Sequence, residues 1–267
     1  MVITGVLDDR FDLSVKVRIE VQIIIASIMI FVAGDVISNL GEILYFTDLP
    51  LGYLGYPFTV IAVLGAINAY NMVDGIIGGV SVATFISFTI LFTLYGDEEH
   101  AFFCLLFLAV LMPYFFYNLQ LTKFSQRKIF MGDAGSMFIG FTVVWLLAIS
   151  SQTNLDEPLK NASFKPVVAL WLIALPLIDM AAIMLLRIKK GVSPFEPDRD
   201  HLHHIFMRAG FSSRATLIFI TLIALFLSLI GVVATIFDVP EWMPLIAFVA
   251  ILFTYKLFLS RIWHLLK

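Results

Sequence analysis

The chain has 267 residues, of which 60% are hydrophobic and 14% charged, against about 25% charged in an ordinary soluble domain. Its single cysteine, Cys104, excludes a disulfide framework within the chain and a Cys-rich metal site. The formal charge of −3 says less than where the charges fall, because apolar runs of bilayer-crossing length recur along the whole chain.

Taken in chain order, Met1–Leu7 lacks the basic region and cleavage site of a signal peptide and reads as the last turns of a membrane helix whose beginning is absent. Hydrophobic runs then predict spans near 19–36, 57–73, 77–95, 101–119, 135–150, 166–186, 215–237 and 242–262. The expected fold is all-α, a polytopic membrane protein of about eight transmembrane helices. It forms one domain over 1–267, with a long His- and Arg-bearing loop at 187–214. Pro113, Pro176 and Pro244 fall in or near spans, which lipid-embedded helices tolerate when neighbours satisfy the freed carbonyls.

Alternating sides from a cytoplasmic Asp8–Arg18 segment puts fourteen Lys and Arg on one face, from Arg10 to Lys267, against Lys160 and Lys165 on the other. That asymmetry orients the chain with the Asp8 face in the cytoplasm. The polar residues of chemical interest gather on this same face in four groups.

Asp8-Asp9 is followed by Arg10, Asp12, Lys16 and Arg18. Adjacent carboxylates can hold a divalent cation or act as a base, and they are equally common in ordinary charged loops. Asn68, Asn71 and Asp74 follow at three-residue spacing and share a helix face at the inner end of a span. A carboxylate there faces protein or water, although Asp74-Gly75 also suits the plain end of a helix. Next comes Lys128-Ile-Phe-Met-Gly-Asp133-Ala-Gly-Ser136. Ser136 is expected to open the next helix, whose N–H groups suit phosphate, while Asp133 suits Mg2+. The bland reading is a glycine-rich turn with an N-cap carboxylate, which leaves the number of glycines unexplained. The fourth group is Arg187 with His201-Leu-His203-His204, in a segment of six basic and three acidic residues. His201 and His203 cannot share a helix face and no cysteine supports zinc, so anion binding through Arg and His is favoured, with anionic lipid as the alternative ligand.

These four groups, in this order, resemble the motifs of the polyprenyl-phosphate N-acetylhexosamine-1-phosphate transferases of glycosyltransferase family 4, in particular the bacterial branch that uses UDP-N-acetylglucosamine and undecaprenyl phosphate. The resemblance rests on Asp8-Asp9-Arg10, Asn68-Ala-Tyr-Asn71-Met-Val-Asp74-Gly75, Phe130-Met-Gly-Asp133-Ala-Gly-Ser136 and His201-Leu-His203-His204. It implies catalytic roles for Asp8, Asp9, Asp74 and His201, and a Mg2+ or Mn2+ held by Asn71 and Asp133. It implies substrate contacts at Arg18, Asn68, Ser136, Arg187, His203 and His204. The implied reaction moves a sugar phosphate from a UDP-sugar to a lipid phosphate and releases UMP, starting a lipid-linked surface glycan such as O-antigen or lipopolysaccharide in the bacterial inner membrane. No nucleic-acid partner is implied, and the resemblance leaves room for a homodimer.

Two departures from the family pattern stand out. The helices that usually precede the Asp-Asp pair are missing, and Asp74-Gly75-Ile76-Ile77-Gly78-Gly79 reads as if three residues carrying a second Asp were deleted. An inactive truncated relative is therefore the alternative to an active transferase. A transporter using Asp74, Asp133 and Asp179 is a third reading, though no inverted repeat accompanies it. Asp179, beside Pro176, has no role in the transferase reading beyond a hydrogen bond to a neighbouring helix.

Overall fold

The computed structural model describes residues 1–45, 47–73, 76–120, 129–152, 162–193 and 201–265. Asp74 and residues 194–200 lie outside them. Helices α1 (Val2–Phe11), α2 (Val15–Ile28), α3 (Gly55–Met72), α4 (Ile77–Leu94), α5 (Glu98–Asn118) and α6 (Gly132–Ser151) are followed by α7 (Val168–Leu172), α8 (Ala174–Lys190), α9 (Leu202–Arg208), α10 (Ser213–Ile236) and α11 (Trp242–Leu265). Among the described residues the β-structure is a single bridge between Asn39 and Pro50. The all-α membrane architecture is as expected.

Among the described residues six helices are long and apolar enough to cross a bilayer. The other two predicted spans have local reasons to differ. The first falls on α2, which carries Lys16, Arg18 and Glu20 in its opening turns and passes into a π-turn at Met29–Ala33 before Gly34 (φ 81°) ends it. The second is interrupted at Ile173, which separates α7 from α8.

That interruption follows from Pro176. Proline has no N–H for the carbonyl four residues before it, here Leu172. The Thr84 hydroxyl, in α4, lies 3.2 Å from the Leu172 carbonyl oxygen and 2.7 Å from the Tyr70 hydroxyl of α3. A buried hydroxyl pair on two neighbouring helices thus covers the carbonyl that the proline leaves open.

Helix α4 is the axis of the bundle, buried on nearly every side, and its Ser87 hydroxyl donates to Ser228 of α10 at 2.8 Å. Phe85 stacks on Phe107 of α5 with ring centroids 4.7 Å apart. Close approach elsewhere depends on small residues, as expected where lipid supplies no hydrophobic drive between helices. A Cβ on Gly140 of α6 would lie 2.8 Å from the Ile67 Cα of α3, and Gly231 of α10 is as close to the Trp171 side chain of α7. Gly5 of α1 rests on the backbone of Asp133 and Ala134. The short first helix is therefore pressed against the start of α6, which positions the acidic cluster.

Candidate functional site

Helix α1 ends at Asp12, whose left-handed backbone (φ 50°) turns the chain so that its N–H bonds back to the Asp8 carbonyl at 2.8 Å. Asp and Asn adopt this conformation more readily than other side chains. Ser14 then caps α2, and the first turn of α2 brings Arg18 over Asp8. Asp8 is buried, with one carboxylate oxygen accepting from the Leu13 N–H at 2.9 Å and the other from Arg18 at 3.0 Å. Asp9 is exposed and turns the other way, accepting from the backbone N–H of Asp133 at 2.9 Å and of Ala134 at 3.4 Å.

This corrects three expectations about the α6 start. The helix begins at Gly132, so Ser136 lies inside it rather than opening it. Two of its free N–H groups, those of Asp133 and Ala134, are not left for a phosphate, because the Asp9 carboxylate already accepts from them. The carboxylate that caps it comes from α1, while Asp133 sits in its first turn. The glycines that a simple turn left unexplained now have reasons. Gly132 has φ 71°, and a Cβ there would come within 2.6 Å of an Asp9 oxygen. Gly135 faces the Met131 side chain, and Gly140 makes the α3 crossing.

Asp133 is half-buried and within hydrogen-bonding reach of Asp8, with Asp9 and Arg18 close enough to act on its charge. Two carboxyls in such contact need a proton or a cation between them. Ser136 joins this cluster to α3: its hydroxyl donates to Asn71 Oδ1 at 2.5 Å and lies 3.2 Å from the Asp133 carbonyl. Asn71 and Asp133, on separate helices, are thus neighbours through one serine. Among the described residues no three His, Cys, Asp or Glu side chains form a closed metal cage. An open set of two carboxyls and an amide oxygen nevertheless fits Mg2+, which keeps several waters and takes one or two carboxylates from protein.

Asn68 points elsewhere. Its amide donates to Gln22 of α2 at 2.9 Å and to the Leu64 carbonyl at 2.7 Å, so it ties α3 to α2. Gln22 is a polar partner that sequence reasoning missed, although a fully buried glutamine within a predicted span was the signal.

The basic group is built differently from expectation. Arg187 is not in a loop but is buried in the last turn of α8, where Lys189 and Lys190 accompany it and Gly191 (φ 73°) ends the helix. Cations suit that negative helix end. His201 is the N-cap residue of α9, and His203 and His204 follow in its first turn, so the described part of 187–214 holds the end of α8, all of α9 and the first residues of α10. The imidazoles of His203 and His204 lie 4.0 Å apart by ring centroids, and His201 stacks on His203 at 6.2 Å. His201 is buried, and its Nδ1 meets Asp179 of α8 at 2.9 Å. Asp179 and Tyr255 are residues that the sequence reading left without function.

The family model for "Glycosyl transferase family 4" matches residues 1–151 of this chain. Proteins named undecaprenyl-phosphate alpha-N-acetylglucosaminyl 1-phosphate transferase are similar over nearly all of it. The Salmonella typhi protein is 44% identical, covering 100% of this chain and 72% of its own length. The Escherichia coli K12 protein is 43% identical with the same coverage. The Haemophilus influenzae protein is 38% identical over 98% of this chain and 73% of its own.

Proposed function

The chain belongs to glycosyl transferase family 4, and on that footing we propose that it transfers N-acetylglucosamine-1-phosphate from UDP-N-acetylglucosamine to undecaprenyl phosphate. An oxygen of the lipid phosphate forms a bond to the sugar-linked phosphorus. The bond from that phosphorus to the bridging oxygen breaks, and UMP leaves with that oxygen. The product is a lipid-linked sugar pyrophosphate, the first intermediate of a surface glycan of the O-antigen type.

The observation that carries this reading is the junction of α1, α3 and α6. There Asp8, Asp9, Asp133 and Asn71 converge through Arg18, Ser136 and the N–H groups of the α6 start. Asn71 and Asp133 would hold a divalent cation, Mg2+ or Mn2+, which supplies charge neutralisation on pyrophosphate oxygens. Asp8, braced by Arg18, orients the lipid phosphate at the membrane surface. Asp9 locks the start of α6, so that Asp133 keeps its place as charge develops. Arg187 and His201 grip the pyrophosphate, with His203 and His204 beside them, and such preformed donors act where transfer concentrates negative charge. The excess of Lys and Arg on this face supports a cytoplasmic site in a bacterial inner membrane.

Membranes containing the chain should exchange labelled UMP into UDP-N-acetylglucosamine in the presence of undecaprenyl phosphate, and a chelator should stop the exchange. A chain shown to be present and folded, yet giving no exchange with Mg2+ or Mn2+, would sink this reading in favour of an inactive relative.

A further inference from the structure

A carboxyl buried in a membrane helix must be matched by partners. Asp179 is 2% exposed in α8, and both of its oxygens are engaged. Oδ2 lies 2.9 Å from His201 Nδ1, and Oδ1 receives the hydroxyl of Tyr255, from α11. His201 is itself only 6% exposed, so the pair is shielded from water. The three helices that supply these groups form one unit: Ile205 of α9 packs with Ile183 of α8 and Leu259 of α11.

A carboxylate offers only acceptors, so the tyrosine O–H and the histidine Nδ1–H both donate to Asp179. The imidazole is then held as its Nδ1–H tautomer, with Nε2 as the ring atom left to meet another group. We propose that Asp179, steadied by Tyr255, is a positioning residue for the transfer reaction: it holds Nδ1–H and the ring plane of His201 so that, in the charged ring, Nε2–H donates to the sugar-nucleotide pyrophosphate. This rests on the reading of His201 as a pyrophosphate-gripping group. It also explains why an ionisable residue interrupts an apolar stretch of α8 two turns before Arg187.

A structural clamp between α8, α9 and α11 would use the same contacts, and three readouts separate the two roles. With the full chain in lipid nanodiscs and 15N-labelled histidine, the His201 signal is assigned by its loss in His201→Gln. That signal should show Nδ1 protonated and Nε2 bare in the neutral ring. Asp179→Asn, which can donate as well as accept, should move the proton towards Nε2. The same variant should lower kcat for UMP exchange about 10- to 100-fold, the range found when a carboxylate that orients a functional histidine is lost. The KM for UDP-N-acetylglucosamine should change by much less. Asp179→Glu should recover part of the rate, which also serves if the Asn variant accumulates poorly. In a His201→Gln background, Asp179→Asn should add little to the loss.

A neutral wild-type His201 ring protonated on Nε2 instead of Nδ1, an unchanged kcat in Asp179→Asn, or an equal fractional loss in both backgrounds would each overturn the proposal. Wild-type protein without exchange activity would instead overturn the transferase reading on which it stands.

Discussion

At the residue scale, the clearest test concerns why a glycine precedes Asp133. Gly132 and Gly96 share nearly the same backbone, φ 71° and 74°, but only Gly132 has Asp9 where a Cβ would go. Both alanine substitutions carry the left-handed penalty of about 1–2 kcal/mol per residue. Gly132→Ala alone also displaces the carboxylate that caps α6. In UMP-exchange assays on membranes with matched protein levels, Gly132→Ala is expected to lose at least about tenfold, a barrier change of about 1.4 kcal/mol, while Gly96→Ala stays near wild type. Asp9→Ala removes the cap outright and should lower stability by about 1 kcal/mol, read as a lower Tm in detergent. The Asp-Asp pair was legible as a functional feature. The division of labour within it was not, because the turn at Asp12 sends Asp8 inward to Arg18 and leaves Asp9 outside, against α6.

At the scale of elements, α7 and α8 show how a sequence feature becomes architecture. Pro176 was visible as a break that a neighbour must repair. That the repair comes from Thr84, supported by Tyr70, depends on packing among α3, α4 and α7, which no local pattern reports. Thr84→Val keeps the shape and removes the hydroxyl, leaving the Leu172 carbonyl and the Tyr70 hydroxyl short of a partner. A loss of about 1–3 kcal/mol is expected, measured as a fall in Tm of the detergent-solubilised protein. Thr89→Val makes the matching control, since the Thr89 hydroxyl only returns to the Phe85 carbonyl of its own helix.

On the face opposite Asp8, Glu241 ties two connecting segments together, accepting from the N–H of Glu42 at 3.0 Å and of Val167 at 3.4 Å. Burial raises its pKa above the usual glutamate value, and the two N–H donors and Lys165 only partly oppose this. The folded protein therefore holds the Glu241 proton more tightly than the unfolded chain. That contribution to stability is complete below the ordinary glutamate value of 4.5 and is lost as pH rises through the folded pKa. Asp238 behaves oppositely. Its hydrogen bond and ion pair with Lys165 lower its pKa, so its contribution is present above 3.8 and is lost as pH falls through the lowered value. Thermal melts of wild type and Glu241→Gln should therefore differ in slope just above pH 4.5, wild type gaining more on acidification. Parallel curves would show that the Glu241 carboxyl does not titrate differently on folding.

At the scale of the whole molecule, the polytopic helical architecture and the grouping of four polar motifs at one end could be read directly, because hydrophobic run length and motif order are local properties. Which motif touches which could not. Asn71 meets Ser136, one turn on from Asp133, only because α3 and α6 cross antiparallel at Gly140, and His201 finds Asp179 only because α9 folds back on α8. The same whole-molecule logic makes the orientation testable. The described groups assigned to the active face lie at the end that carries Arg18, Arg187 and Lys190, whereas Lys165, with Asp238 and Glu241, lies at the other end. The one native thiol, Cys104, is buried in α5 and gives little background to a labelling experiment. Lys165→Cys and Lys190→Cys replace side chains at opposite ends of the bundle, both outside the proposed reaction site. In intact spheroplasts, a membrane-impermeant maleimide should label Lys165→Cys at once and Lys190→Cys only after the membrane is opened. The reverse pattern would place the acidic and histidine clusters outside the cell, away from cytoplasmic UDP-sugars. The proposed reaction requires that its nucleotide donor and its UMP product meet the Asp8 face, so that single result would count against the reaction as well as the topology.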